Sequence, residues 1–432
     1  MGQKQHFERG QIGQTPIDAT RDLRIGWRCS PVGVRLALGA ANPHGNTRNL
    51  KREDVDVPDL YDAVGHGMWA YSHAAFRVTT LSAGRFAPEP GTLVVATHRR
   101  ETDVPILCPP LYFGMGGWRN RTDRLHFAAR DDMFLPGFFA GFPPDLAPRA
   151  RRLLYPVGVG RWLPLVNVFP IRSASVARLG EVFAARPDDP LDELVPEETA
   201  DVFRARAGSA GRPAPARAGD ALHGAYADLL WTAVSPGEGV TGDLDDFWSR
   251  RAARAAGDFR HLVGLLRDGR VLVVFPEGRP SPDGELGPIR PGIGALVRRG
   301  RPAALRPLAI AYDPLVRGRT RVHLALGQPV APPAGDVEAE ILALLKRSMP
   351  LTTGQFVASR LEEGAEADPT ALERDLADAV ALARAEGRQV EPGLATSEGR
   401  RRRLAEALAA APRRSGELPF LAREHASAHE PR

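Results

Sequence analysis

The sequence predicts an α/β fold with a mostly parallel central sheet flanked by helices. Two apolar, β-branched runs, residues 92–97 and 271–275, each lead directly into a tight polar turn. Continuous apolar runs of this length are typical of strands that are buried on both faces, as in parallel sheets. A helical pattern follows the first run and another precedes the second, and this alternation indicates strands layered between helices.

The other elements follow from periodicity and from the residues that start and stop helices. Leu262, Val263 and Leu266 share one face of a helix that begins at Asp258. Pro291 suits the first turn of another helix, and Gly300 suits its C-terminal cap. Strands are also expected at residues 76–81, 125–130, 302–312 and 322–326, and helices at 59–76, 337–345 and 369–383.

Composition changes along the chain and divides it into segments. Residues 1–57 mix Gly, Pro, Asn and charge with weak periodicity, which predicts a loosely ordered N-terminal extension. The main domain is expected at 58–332, with an insertion at 173–257 that is partly disordered because 208–219 is rich in Ala, Arg, Pro and Gly. A helical region is expected at 333–394, and a basic, disordered tail at 395–432.

The charge balance favours anionic partners. The chain has 432 residues and a formal net charge of +5, and its isoelectric point is near 9.5. Its two cysteines, Cys29 and Cys108, do not form a paired motif, so the default is a reducing compartment without a disulfide or zinc site. No leader is expected in the first 25 residues, and no apolar run reaches the roughly 18 residues of a membrane span.

Residues 135–171 are unusually rich in Phe, Leu, Trp and Pro, with arginines among them. An apolar, aromatic surface with arginines at its margin is what an interfacial membrane patch requires. The alternative is an ordinary core with two irregular loops, and the sequence leaves both open.

The turn after the first buried strand carries a candidate catalytic pair, His98 and Asp103. Two residues five positions apart would not share a face of one helix. In a strand–turn–helix arrangement, however, Asp103 can cap the following helix and fold back onto the imidazole. A carboxylate bound to one ring nitrogen leaves the other free to act as a base, although a His–Asp pair at this spacing is by itself more often a capped loop than a catalytic pair.

The turn after the second strand reads Phe275-Pro276-Glu277-Gly278 and continues with Arg279. His-x4-Asp followed by Phe-Pro-Glu-Gly resembles the glycerolipid acyltransferases, the family of glycerol-3-phosphate and lysophosphatidic acid acyltransferases. The resemblance covers about 93–310, with the insertion unmatched, and it makes 58–332 the expected acyltransferase domain.

The resemblance implies roles for matching residues. His98 would be the general base and Asp103 the carboxylate that orients it. Glu277 and Gly278 would bind the glycerol portion or order the turn, and Arg279 would contact the acceptor phosphate. The family's two other blocks are matched by Arg130, Asp132, Pro156, Gly158 and 168–172, and by 305–308.

The first of these two blocks would end in Arg172 as the main phosphate ligand. It departs from the family pattern at Asn167, where Gly is usual, and at Pro170, which interrupts the apolar run. The last block would help to form the acyl-donor side. The resemblance implies no cofactor, because acyl-CoA or acyl carrier protein would serve as co-substrate.

The sequence therefore predicts an O-acyltransferase of phospholipid synthesis that esterifies lysophosphatidic acid or glycerol-3-phosphate. We expect a cytoplasmic protein attached peripherally to an anionic membrane surface, and no nucleic-acid partner. Three alternatives stay open: another lysophospholipid acceptor, a non-catalytic lipid-binding relative, and a metal-dependent hydrolase using His98 and Asp103. The hydrolase alternative lacks the three or more clustered ligands that such a site needs, so no metal is expected.

Overall fold

A computed structural model describes residues 59–82, 84–120, 123–138, 150, 153–155, 157–281, 284–363 and 368–429. The predicted extension at 1–57 lies outside these ranges. Within them, no helix combines the length and the apolar character needed to cross a bilayer.

The described chain is built on a seven-stranded sheet. Its strand order is β1-β9-β8-β2-β7-β3-β4, and every neighbouring pair is parallel except β8 and β9. Five strands therefore run in one direction, and the predicted mostly parallel sheet is confirmed. The seven strands are β1 (Arg77–Leu81), β2 (Thr92–Ala96), β3 (Leu125–Arg130), β4 (Val168–Ile171), β7 (Val271–Val274), β8 (Ala304–Asp313) and β9 (Arg321–Leu326). A separate antiparallel pair joins β5 (Ala177–Arg178) to β6 (Ala233–Val234).

Helices cover both faces of the sheet. The helices are α1 (Leu60–Ala75), α2 (Asp103–Gly114), α3 (Leu179–Ala185), α4 (Leu191–Leu194), α5 (Glu197–Ser209), α6 (Ala218–Ala221), α7 (Ala227–Leu230), α8 (Asp245–Arg267), α9 (Pro291–Gly300), α10 (Val337–Ser348), α11 (Thr353–Glu362), α12 (Pro369–Ala385), α13 (Ser397–Ala410) and α14 (Leu418–His429). Short 3₁₀ segments lie at Gly117–Arg119, Asp131–Phe134, Leu163–Val166, Gly224–Tyr226, Pro392–Leu394 and Ala411–Glu417.

The two central strands send alternate side chains into two apolar layers. Leu93 and Val95 face α8, α9 and α10, whereas Val94 and Ala96 face α2. Strand β7 repeats the alternation beside β2. Since successive side chains of a strand point to opposite faces, an uninterrupted apolar run is the expected sequence of a strand covered on both sides.

Residues 173–257 are ordered, and the predicted partial disorder is wrong for this segment. It has its own apolar core, in which Phe183, Phe203 and Tyr226 are buried and in ring contact. The Ala- and Pro-rich stretch 208–219 contributes Ala218 to that core. Small side chains allow the close packing that the compositional argument overlooked.

The predicted boundary at 257 is also wrong, because α8 continues through it from Asp245 to Arg267. Gly257 weakens a helix interior by only about 1 kcal/mol relative to Ala. Buried side chains on either side of the glycine, including Phe247 and Leu262, offset that loss. One helix thus links the inserted segment to the main sheet.

The C-terminal tail is ordered through residue 429, in contrast to the predicted disorder. Thr396 caps α13 by accepting a hydrogen bond from Gly399 N at 3.0 Å. Of the four consecutive arginines, Arg403 is buried, and it pairs with Asp313 at 2.7 Å and with Glu391. A charged run can therefore belong to the interior when carboxylates meet it there.

His323 of β9 lies beside this buried ion-pair network. It is 2% exposed, and neither ring nitrogen has a hydrogen-bond partner among the described residues. Burial lowers the pKa of His323 to about 4, against an opposing effect of Glu391. Between about pH 4 and pH 6.5, the imidazole of His323 is therefore neutral in the folded protein but protonated in an unfolded chain.

This burial predicts an acid-sensitive contribution to stability. Because the folded pKa of His323 lies below its ordinary value of 6.5, its contribution is complete above pH 6.5 and declines as the pH falls toward 4. Between those limits the wild type should lose about 3 kcal/mol more of its unfolding free energy than His323→Leu does. Urea unfolding of both proteins at several pH values measures the difference. His66→Gln, at an exposed position of α1, should keep the wild-type slope, and an equal slope in His323→Leu would contradict the prediction.

Candidate active site

The two predicted turns lie side by side at one edge of the sheet. Strands β2 and β7 are parallel neighbours, with Leu93 opposite Leu272 and Val95 opposite Val274. Their carboxyl ends therefore meet, and the residues that follow them lie at the same end of the sheet. The backbone N–H of His98 donates to Glu277 Oε1 at 2.9 Å. Residues 179 positions apart in the sequence are thus in direct contact.

His98 and Asp103 form the pair that the spacing suggested. The distance from His98 Nδ1 to Asp103 Oδ2 is 2.9 Å, and the imidazole side chain is 12% exposed. Helix α2 begins at Asp103 itself, and its N-cap is Thr102, so the prediction of Asp103 as the cap is one residue late. The Phe275 ring lies 4.4 Å from the imidazole and supports it from the second turn.

Asp103 is held by donors from two parts of the chain, the His98 turn and strand β8. Its Oδ2 also accepts hydrogen bonds from the backbone N–H groups of Arg99 and Arg100, at 2.6 and 3.0 Å. Its Oδ1 accepts from the hydroxyl of Tyr312 at 2.7 Å. Each contact directs a proton toward the carboxylate, so His98 Nδ1 is the donor in the pair and Nε2 faces away from it.

The sequence analysis missed Tyr312, although the residue lies in a strand that it predicted. Tyr312 is fully buried near the carboxyl end of β8, and its hydroxyl also contacts Thr102 at 3.0 Å. A buried tyrosine hydroxyl requires a polar partner. That rule could have marked Tyr312 as a candidate, but only the order of strands shows that its partner is Asp103.

Glu277 uses both carboxylate oxygens within the protein. Oε1 accepts from His98 N, and Oε2 accepts from Gly287 N at 2.9 Å. The side chain is 4% exposed. Burial raises the pKa of Glu277, while Arg99 and the two backbone donors oppose that rise. Of the two predicted roles, these contacts suit ordering the turn better than binding glycerol.

Gly278 occupies the left-handed region at φ 75°, which favours glycine, and its N–H donates to Phe275 O at 3.0 Å. Arg290 lies against this turn and donates from Nε to the Glu277 carbonyl at 3.2 Å. Arg279 is exposed, and no described residue pairs with it. Two guanidinium groups, of Arg279 and Arg290, therefore flank the turn.

Arg172 lies farther along the same edge and is already paired. It follows β4, which is three strands from β2, roughly 14 Å at the usual spacing. Its Nη1 lies 2.9 Å from Asp258, and its Nε lies 3.6 Å from Asp131. Arg251 of α8 also contacts Asp131, at 2.6 Å. The predicted phosphate ligand thus belongs to a network that joins the inserted segment to the sheet.

The structure accounts for both departures in this block. Asn167 adopts a left-handed conformation with φ 59°, which asparagine tolerates better than most residues. Pro170 lies in β4, the edge strand, where a missing N–H leaves no ladder bond unmade. Pro156 is outside the described residues.

Metal ligands do not cluster around His98 in the described part of the chain. Elsewhere among the described residues, one group of three side chains has ligating atoms close to one another: Asp313, His323 and Glu391. Arg403 contacts both of its carboxylates. A guanidinium in this position already supplies the positive charge that two buried carboxylates require.

The contacts of Glu277 predict a specific loss in Glu277→Gln. An amide replaces one accepting oxygen with an NH₂ group, which then faces a backbone N–H. One buried donor loses its partner, and the free energy of unfolding should fall by about 1–3 kcal/mol. Chemical unfolding measures the change. Glu340→Gln, at an exposed position of α10, should remain within about 0.5 kcal/mol of the wild type. An equally small change in Glu277→Gln would show that the carboxylate does not hold the two turns together.

Comparisons with known proteins find a family match in one part of the chain. The family model described as Acyltransferase matches residues 237–311, a range that contains Glu277 and its turn but not His98. No curated protein matches the chain in sequence. Among solved structures, the 1-acyl-sn-glycerophosphate (LPA) acyltransferase PlsC from Thermotoga maritima is similar, with a TM-score of 0.33 and 14% identity. That alignment covers 66% of this chain and 76% of the PlsC chain. The Phe-Pro-Glu-Gly turn falls inside the family match, so residues 237–311 are similar to the Acyltransferase family, in agreement with the resemblance drawn from the sequence.

Proposed function

We propose that this acyltransferase moves a fatty acyl group from acyl-CoA or acyl carrier protein to the hydroxyl of a lysophosphatidic acid or of glycerol-3-phosphate. The observation that carries the proposal is the fixed His98 turn. Its imidazole is bound to Asp103 through Nδ1, and its backbone is bound to Glu277 of the neighbouring strand. A base held from two directions at a sheet edge suits proton abstraction from an acceptor hydroxyl.

The proposed reaction needs no cofactor, because a thioester is already activated. His98 Nε2 takes the hydroxyl proton while the acceptor oxygen forms a bond to the thioester carbonyl carbon. The tetrahedral intermediate then expels the thiolate as the C–S bond breaks, and the imidazolium returns its proton to the sulfur. Asp103 holds the imidazole in the required tautomer and stabilises its protonated form during the step.

Arg279 is the proposed ligand of the acceptor phosphate, with Arg290 beside it. A guanidinium can bind phosphate through two parallel N–H groups. Arg279 is exposed next to the Glu277 turn, whereas binding by Arg172 would compete with Asp131 and Asp258. The role of Arg172 remains a prediction that the same experiment tests.

A peripheral contact with an anionic membrane forms part of the proposal. Leu153, Trp162 and Leu165 are 76%, 44% and 58% exposed. Arg161 lies over the Trp162 ring at 4.9 Å. Exposed apolar side chains next to an arginine suit the boundary between headgroups and acyl chains. A surface of this kind would let the enzyme take its acceptor directly from the membrane.

Two alternatives to this proposal are another lysophospholipid acceptor and a non-catalytic lipid-binding role. A different lysophospholipid acceptor would require the same base and differ only in the headgroup contacts. A non-catalytic lipid-binding relative would bind vesicles without forming product. The contacts among His98, Asp103 and Glu277 favour a catalytic protein, because binding alone gives no reason to orient an imidazole.

His98→Ala should abolish acyl transfer, because it removes the imidazole that takes the hydroxyl proton. Purified wild type and variant are each incubated with acyl-CoA and a panel of lysolipids and glycerol-3-phosphate, and products are identified by mass spectrometry. A rate loss of at least about 10³-fold is expected. His73→Ala, on an exposed part of α1, is the control. Wild-type turnover by His98→Ala would refute the mechanism, and vesicle binding without product would favour the non-catalytic alternative.

Arg279→Gln should raise the KM for a phosphate-bearing acceptor about tenfold or more, because an ionic hydrogen bond is worth about 1.5–3 kcal/mol. The KM for the acyl donor should stay within about twofold. Steady-state kinetics with each substrate varied in turn separates the two. Arg172→Gln is measured in parallel, and a larger acceptor effect there would transfer the phosphate role to Arg172. Equal increases in both KM values would argue against a phosphate ligand at Arg279.

A further inference from the structure

The side chain of the residue after His98 is buried inside the protein. Arg99 is 2% exposed. Its Nη1 donates to the carbonyl oxygens of Gly284 and Glu285, at 2.8 and 3.3 Å. The turn that presents the imidazole on one side is therefore fastened on the other to the chain that follows Glu277.

Glu424 of helix α14 meets Arg99 in this interior. Arg99 Nε lies 3.3 Å from Glu424 Oε1, and both side chains are 0% exposed. Burial raises the pKa of Glu424, and Arg99 and Gln355 oppose that rise. An arginine and a glutamate buried in this way depend on each other, because removing one leaves an uncompensated charge.

Helix α14 also approaches the loop after Glu277 very closely. Gly284 has φ 92°, and a Cβ at this position would collide with the carbonyl oxygen of Phe420. The same loop returns to the site, because Gly287 N donates to Glu277 Oε2 and Ser281 N donates to His98 O at 2.9 Å. The loop thus transmits the position of α14 to both candidate turns.

A second connection runs through Arg100. Its Nη2 lies 2.6 Å from Glu417, immediately before α14, and its guanidinium carbon lies 4.9 Å from the centre of the Tyr312 ring. Tyr312 donates to Asp103, as described above. The C-terminal region therefore contacts both residues that follow His98, because Glu424 pairs with Arg99 and Glu417 pairs with Arg100.

We propose that helix α14 is part of the acyl-transfer apparatus and that Glu424 is a positioning residue, which holds the His98 turn through Arg99. The inference rests on the proposed function for its kinetic consequence. Glu424 touches neither substrate nor the reacting atoms. It acts by fixing the backbone on which His98 lies, in the same way that Glu277 fixes it from the neighbouring strand.

A merely structural helix and a positioning helix predict different results. If α14 only stabilises the fold, Glu424→Gln lowers the unfolding temperature, but the molecules that remain folded turn over normally. If α14 positions His98, kcat falls in fully folded protein, while the KM values of donor and acceptor stay within about twofold. We expect a fall in kcat of about tenfold, equivalent to ~1.4 kcal/mol in the barrier.

The control is Glu391→Gln in the full-length chain. Glu391 is also a buried carboxylate of the C-terminal region that pairs with arginines, but its partners are Arg403, Arg321 and Thr353 rather than the His98 turn. It should therefore lower stability without lowering the kcat of the folded protein. Equal kcat values in Glu424→Gln and Glu391→Gln, measured well below both unfolding temperatures, would overturn the proposal.

The pairing with Arg99 is tested by a double-mutant cycle. Arg99→Gln and Glu424→Gln should each lower kcat, and the double variant should lose less than the sum of the two effects on the barrier. Additive losses would mean that Glu424 does not act through Arg99. If Glu424→Gln does not fold, Glu417→Gln tests the second connection, since Glu417 is partly exposed. In that case a wild-type kcat in Glu417→Gln would overturn the proposal.

A readout without turnover separates this inference from the proposed function. In ¹⁵N-histidine-labelled full-length protein, the Nδ1 proton of His98, assigned by its loss in His98→Gln, should be protected from exchange with water by its bond to Asp103. Glu424→Gln should accelerate that exchange, and Glu391→Gln should not. If the wild type forms no product but the exchange behaves as expected, the proposed function fails and the positioning role stands. Unchanged exchange in a folded Glu424→Gln would refute the positioning role, whatever the enzyme's activity.

Discussion

The structure depends on the carboxylate of Asp103, which four donors hold at the start of α2. Two of them are successive backbone N–H groups of the turn, one is the imidazole of His98, and one is the hydroxyl of Tyr312. A buried carboxylate requires such donors, because it would otherwise leave water without compensation. The same requirement fixes the turn and sets the direction of the imidazole. Local stability and the chemistry of the site therefore have one physical origin.

The order of the strands provides the second constraint on the turn. Strand β7 lies next to β2, although about 175 residues separate them, and this adjacency brings Glu277 to the His98 backbone. The carboxylates of Asp103 and Glu277 hold different parts of the His98 turn. Asp103 contacts the imidazole and the N–H groups that follow, and Glu277 contacts the N–H of His98 itself. A base held in this way has little freedom left to lose when a substrate arrives.

Charged residues fasten the peripheral segments to the same edge of the sheet. The inserted segment is joined to it by Arg251, which contacts both Asp131 and Glu181 at 2.6 Å. The end of the chain is joined to it by Arg99 with Glu424 and by Arg100 with Glu417. The abundance of arginine in the sequence thus has a structural use at these positions, where a planar guanidinium can bridge several acceptors.

Local sequence was sufficient for six of the seven strands of the main sheet, with β4 the exception, for several of the helices that flank it, and for the two candidate turns. Each depends on residues close together in the chain: an apolar run, a helix-starting proline, or the short spacing between His98 and Asp103. The order at 173–257 and at 397–429 was not predictable in this way. Low complexity and a run of arginines are properties of a segment taken by itself. Whether the segment is ordered depends on its contacts with the rest of the folded chain.

The same distinction applies to the site. The residue types of His98, Asp103 and Glu277, with the strand ends that carry them, were readable from the sequence by itself. The tertiary structure alone decided which groups Tyr312, Arg99 and Glu424 would contact, and that Arg172 would be paired with aspartates. The physical reason is that a hydrogen bond or an ion pair depends on distance in space. Between residues far apart in the chain, that distance follows from strand order and helix packing.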